Sequence, residues 1–167
     1  MSISTSKRNF LFARISARNP VRPPWALKEA EFIDLCTRCN ECEKQCPVNV
    51  IRIADGGYPE MDFTNSGCDF CQVCVDVCQS GALSHRQPVA FNVVARIDKS
   101  CFSERGVICR SCAEVCENRA ISFKQVVGGI AHISMSTESC NGCGECVSIC
   151  PAAAIKIEHR LNTENAG

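Results

Sequence analysis

Sixteen of the 167 residues are cysteines, and they fall into four groups. The groups are Cys36, Cys39, Cys42 and Cys46; Cys68, Cys71, Cys74 and Cys78; Cys101, Cys109, Cys112 and Cys116; and Cys140, Cys143, Cys146 and Cys150. Three of them read C-x2-C-x2-C-x3-C without a gap. The third keeps the later spacing but puts seven residues between Cys101 and Cys109, where two would complete the pattern. Thiols at this density could form disulfides, bind zinc, or hold iron and sulfide. Cysteines packed two apart in threes cannot all reach distant partners with disulfide geometry. Zinc takes four tetrahedral ligands, usually as two separated pairs, which leaves the third Cys of each run unused. A 4Fe-4S cube presents three irons to one tight loop and a fourth outward, and three thiolates at this spacing wrap the near face. The spacing therefore points to iron-sulfur chemistry.

The fourth Cys of each run lies one helical turn further on and faces away, so such motifs work in crossed pairs. This predicts that Cys36, Cys39 and Cys42 share a site with Cys78, and that Cys68, Cys71 and Cys74 share one with Cys46. Downstream, Cys140, Cys143 and Cys146 join Cys116, while Cys109 and Cys112 join Cys150, with Cys101 completing that set if its loop reaches. A loop that holds Cys101 away leaves a three-iron cluster or a cube with one exchangeable iron. Four 4Fe-4S clusters are expected in all, with this third-motif site the open question.

The elements that must position these thiols repeat as well. Val50-Ile51, Ala82-Leu83, Ala120-Ile121 and Ala154-Ile155 stand at the same offset after each fourth Cys, a small or branched residue and then a large aliphatic that opens a strand-like step. The stretches from Cys74 to Cys78 and from Cys146 to Cys150 suit one helical turn, and Pro47 and Pro151 mark its end in two motifs. Hairpins are signalled by Gly56-Gly57 between Ile51–Ala54 and Tyr58–Phe63, and by Gly128-Gly129 between Ile121–Val127 and Ile130–Met135. The fold class is thus α+β, as two tandem bacterial 2x(4Fe-4S) ferredoxin-like units of short helices and hairpin strands around clusters. Boundaries fall at 1–29 for a basic N-terminal arm, 30–86 for the first unit, 92–158 for the second and 159–167 for a polar tail, with Gln87-Pro88 between the units.

Composition agrees that something other than side chains fills the interior. Apolar residues make up 46%, but setting the cysteines aside leaves about 36%, and only ten residues are aromatic: eight Phe, Trp25 and Tyr58. Clusters then serve as the core, and the iron-free chain is expected to be largely unfolded. No apolar run reaches the length of a membrane span, so the chain has no transmembrane segment, although contact with a membrane surface through the arm is open. The arm carries Lys7, Arg8, Arg14, Arg18, Arg22 and Lys28 with no acidic residue before Glu29. It reads either as a solvated tail or as a docking segment for an acidic partner or membrane surface. Ser6-Lys7-Arg8-Asn9-Phe10-Leu11 is similar to a twin-arginine export motif, but Arg14, Arg18 and the prolines at 20, 23 and 24 break any apolar region behind it, so the cytoplasm is the expected location. Phe10 and Phe12 alone offer stacking before Trp25, which argues against nucleic acid. His85, His132 and His159 lie outside the cysteine runs and read as surface residues, and Trp25 as packing of the arm onto the first unit. Gly142 and Gly144 let the backbone approach the cluster sulfurs.

The four groups in this order, the gap after Cys101, Arg22-Pro23-Pro24-Trp25, Gly56-Gly57-Tyr58-Pro59 and Cys140-Asn141-Gly142-Cys143-Gly144 together resemble the NapF family, the ferredoxin-type accessory proteins of periplasmic nitrate reductase systems. The resemblance covers nearly the whole chain. It implies a cytoplasmic protein, not an enzyme, that binds the catalytic molybdenum subunit NapA before export and assists maturation of its iron-sulfur site, by electrons or by cluster supply. The alternative is a general electron-transfer subunit of a molybdenum oxidoreductase or quinol-oxidising system. The formal charge is zero from 18 basic and 18 acidic residues, but each oxidised cube with its four thiolates carries about −2, so four would bring the body to about −8 beside a positive arm.

Overall fold

The computed structural model describes residues 19–125 and 131–160. Within them the chain leaves each cysteine run in the same way. The residue three after the fourth Cys takes a left-handed backbone in all four motifs: Asn49 at φ 52°, Gly81 at 74°, Arg119 at 50° and Ala153 at 47°. That bend turns the chain back, and the next two residues drop into the interior. Val50 and Ile51, Ala82 and Leu83, Ala120 and Ile121, Ala154 and Ile155 are all buried, so the sequence repeat is a repeat of packing.

The second residue of each pair opens a strand or a bridge. Strand β1 (Ile51–Ile53) pairs antiparallel with β2 (Pro59–Met61), Ile51 opposite Met61. Gly57 N–H closes the turn on the Ala54 carbonyl at 3.0 Å. Strand β4 (Ile121–Gln125) pairs with β5 (Ala131–Met135), Phe123 opposite Ile133; the Gly128-Gly129 turn expected between them lies outside the described residues. Strand β6 (Ile155–His159) pairs with β3 (Val93–Ile97), Ala95 opposite Ile157. The first half has a shorter counterpart of that closure, a single bridge between Ala26 and Leu83. Ends of each half therefore meet around an inner hairpin.

Helices are short because each needs only to turn a cysteine inward. After α1 (Glu29–Leu35), the four-residue helices α2 (Glu41–Lys44), α3 (Val73–Asp76), α4 (Ser111–Glu114) and α5 (Glu145–Ser148) each hold the third Cys of a run, Cys42, Cys74, Cys112 and Cys146. Helix α2 packs on α3, and α4 on α5. Two cores result, with Val147 and Ile157 packed against both. One gathers Phe32, Val50, Phe63, Val75 and Leu83 with Cys46 and Cys74, the other Ala95, Ile121 and Ile155 with Cys112 and Cys146.

Residues 20–27 are a strap across the first core. Pro23 and Pro24 are fully buried. The Arg22 guanidinium lies over the rings of Phe32 and Tyr58 at 5.1 and 5.6 Å and donates to Glu29 at 3.0 and 2.6 Å and to the Pro59 carbonyl at 3.0 Å. Trp25, at φ 59°, meets Phe70 edge-on, and Phe70 meets Phe91 of the inter-unit segment in turn. Trp25 is thus half-buried packing of the strap. No helix among the described residues is long and apolar enough to cross a membrane.

Candidate iron-sulfur sites

The loops that carry the thiols share an unusual winding. In the first motif Arg38 and Asn40 are left-handed at φ 58° and 65°, in the second Phe70 and Gln72 at 56° and 68°, in the fourth Gly142 and Gly144 at 78° and 83°. These are the second and fourth positions after the first Cys each time. Alternating right- and left-handed residues turns successive backbone N–H groups toward one side, a concavity suited to negative charge. Only the fourth motif places glycine at both positions; elsewhere an L-residue accepts about 1–2 kcal/mol of backbone cost. The third motif departs, with Arg110 at φ −131° where the others have Asn40, Gln72 or Gly144.

Thiol neighbourhoods follow from this geometry. Burial pushes the Cys42 thiol up to about 12, and among its neighbours Cys36, Cys39 and Cys78 act in the same direction. Cys74 is likewise raised to about 12 by burial, beside Cys68, Cys42, Cys71 and Cys46. In the second half burial raises Cys146 to about 12, beside Cys143, Cys140, Cys112 and Cys116. Burial raises Cys112 to about 11, and its first thiol neighbour is Cys101, followed by Cys150 and Cys109. The structure thus places Cys36, Cys39 and Cys78 around Cys42; Cys68, Cys71, Cys46 and Cys42 around Cys74; Cys143, Cys140, Cys112 and Cys116 around Cys146; and Cys101, Cys150 and Cys109 around Cys112. In each half the third cysteines of the two runs also act on one another, Cys42 on Cys74 and Cys112 on Cys146.

The extra residues between Cys101 and Cys109 fold back on themselves. A 3-10 turn at Ser103–Arg105 ends on Gly106 at φ 80°, and the buried Ser103 hydroxyl donates to the Cys109 carbonyl at 2.8 Å. The insertion forms a side loop while its two ends stay close.

These sets fit a 4Fe-4S cube in their donor chemistry. Each offers four thiols and few competing ligands, and backbone N–H groups already point at sulfur: Leu83 to Cys78 Sγ at 3.4 Å, Ala120 to Cys116 at 3.2 Å, Ala154 to Cys150 at 3.3 Å and Phe70 to Cys68 at 3.4 Å. Three of these donors are the small or aliphatic residues of the buried repeat, which sequence reading placed at the opening of a strand-like step but did not assign to sulfur. Among the described residues no three His, Cys, Asp or Glu side chains converge on one point as around a lone ion. A cube, held at its corners, does not require that convergence. His85 pairs with Asp76 at 2.8 Å, His132 faces Glu104 at 3.9 Å and His159 meets the Pro20 carbonyl at 3.2 Å, none of them directed to the thiols.

The two halves dock through their inner sites. Cys68 N–H donates to the Cys143 carbonyl at 2.7 Å, and Gly67 N–H to Glu145 Oε2 at 2.8 Å. Sequence reading gave Gly142 and Gly144 to the sulfurs; the structure shows that a Cβ at Gly142 would strike Val93 Cγ2 at 2.7 Å and one at Gly144 would enter the Phe63 ring. Gly144's smallness serves the junction with Phe63 of the first half, and Gly142's serves packing on β3 within the second half, beside the handed turn.

The family model described as a 4Fe-4S dicluster domain matches residues 35–82 and 107–154, a span that leaves Cys101 outside. The chain is 37% identical over 160 residues to the ferredoxin-type protein NapF of Escherichia coli K12, covering 95% of this chain and 98% of that one. It is 38% identical over 144 residues to NapF of Haemophilus influenzae, covering 86% and 82%. The methylamine utilization ferredoxin-type protein MauM of Methylobacillus flagellatus is 31% identical over 161 residues, covering 84% and 69%.

Proposed function

Because the chain belongs to the family of ferredoxin-type NapF proteins, we propose that it is an iron-sulfur accessory protein that meets the catalytic subunit NapA in the cytoplasm before export and assists its maturation. In this reading it holds four 4Fe-4S clusters, ligated by the four crossed thiol sets, with Cys101 the fourth ligand beside Cys109, Cys112 and Cys150. It is organised as a basic arm at 1–29, units at 30–86 and 92–158, and a polar tail from 159. A bound cube supplies a one-electron redox centre. The protein's part is to present thiolates in fixed array, to aim N–H groups at sulfur, which tunes potential, and to keep water from the buried sulfurs of Cys46, Cys74, Cys112 and Cys146. It needs no acid, base or nucleophile of its own.

The observation that carries the reading is the company of Cys112, whose thiol neighbours are Cys101, Cys150 and Cys109. With it the irregular motif offers the same four-thiol complement as the regular ones. The partner is tested by tagging the chain in anaerobically grown cells and isolating what co-purifies. Unprocessed NapA in stoichiometric amount is expected; its absence, with a quinone-linked membrane complex in its place, would contradict the maturation role.

A further inference from the structure

Three motifs manage with two residues between their first cysteines, and the third uses seven. The extra length builds a tip. After the turn at Ser103–Arg105, Val107 is 54% and Ile108 88% exposed. Leu35, Val89 and Ile149 are also exposed, but singly, as is ordinary on a surface. Val107 and Ile108 are consecutive, and Ile108 is bonded in sequence to Cys109. Nor is the tip loose. Ser103 ties its far side to Cys109, Val107 N–H donates to the Phe102 carbonyl at 2.9 Å and Gly106 N–H to the Ser103 carbonyl at 3.2 Å. The fold-back keeps the ends of the loop close, but it does not require two aliphatics to face outward.

Charge narrows what could cover it. Arg105 and Arg110 flank the two aliphatics, both exposed, and neither has an ion-pair partner among the described residues. Arg110 is held in place over the Phe123 ring at 5.8 Å, and the nearby carboxylate of Glu104 faces His132. An apolar point between two guanidiniums complements an apolar recess with a carboxylate rim.

We propose that the tip Arg105–Arg110 is the docking element for the partner protein, inserting Val107 and Ile108 into an acidic-rimmed apolar pocket and so bringing the partner against the site of Cys109. This rests on the reading of NapA as that partner. The test uses the full, cluster-loaded chain and purified NapA with its export signal attached, with affinity measured by surface plasmon resonance under anaerobic conditions. Ile108→Asp should weaken binding about tenfold or more, and the charge-reversed pair Arg105→Glu with Arg110→Glu should weaken it and flatten its salt dependence. Ile108→Leu and Leu35→Asp should bind as the wild type does, and equal iron content in all variants certifies the fold. Undiminished binding by Ile108→Asp would overturn the proposal while leaving the partner reading intact. Failure of the wild type to bind would overturn both. A change in sedimentation mass on Ile108→Asp without a change in NapA affinity would mean that a second copy covers the tip, and would also overturn it.

Discussion

The thiols of Cys42, Cys68, Cys74 and Cys146 are each pushed up to about 12 by burial, from an ordinary 9.0. At pH 7 they are therefore protonated both in this fold and in an unfolded chain. A cluster takes thiolates, so each ligation expels a proton, and mass action favours assembly as pH rises. Reconstitution at fixed iron and sulfide should thus proceed further at about pH 8.5 than at pH 7, followed by the growth of visible absorbance. Assembly that declined over this interval would mean that deprotonation of buried thiols is not what limits it. The four cysteine runs were legible in sequence, and their crossed company was expected because the longer step to the fourth Cys turns it away from the first three. The handed residues were not. Arg38, Phe70 and Gln72 carry no mark of a left-handed backbone in their residue types.

The four small elements that follow the runs were readable because one offset recurs four times. Strand β3 was not, since Val93–Ile97 follows no cysteine run at that offset and finds its place only by pairing with the distant β6, Val93 opposite His159 and Ile97 opposite Ile155. The inter-unit junction was hidden for a similar reason: Gly144 announces a turn, but nothing in the sequence says that Phe63 lies against it. A matched pair of substitutions separates the two roles. Gly81 has φ 74° and nothing within 4 Å of a Cβ, whereas Gly144 has φ 83° and Phe63 in the way. Gly81→Ala should cost about 1–2 kcal/mol, the backbone share alone. Gly144→Ala adds the overpacking share, about 1–3 kcal/mol more. Thermal bleaching of the loaded protein reads the difference, and equal melting of the two variants would show that the halves do not dock through Phe63.

At the scale of the molecule, two cores, each shared between thiols and a few aliphatics, are joined by the Cys68–Cys143 and Gly67–Glu145 hydrogen bonds, and the first is crossed by a strap whose Arg22 is clamped between rings and carboxylates. An interior so poor in large side chains leaves the clusters as the structural centre, with the side loop at Cys101 as the one departure from fourfold regularity in cysteine spacing. Four clusters per chain are therefore expected. Anaerobically purified protein, assayed for iron and acid-labile sulfide with EPR before and after mild oxidation, should hold about 16 of each per chain with no three-iron signal, and Cys101→Ala should lose or convert one cluster only. Iron near about 12 per chain in the wild type, or a Cys101→Ala variant with unchanged iron and spectra, would contradict it.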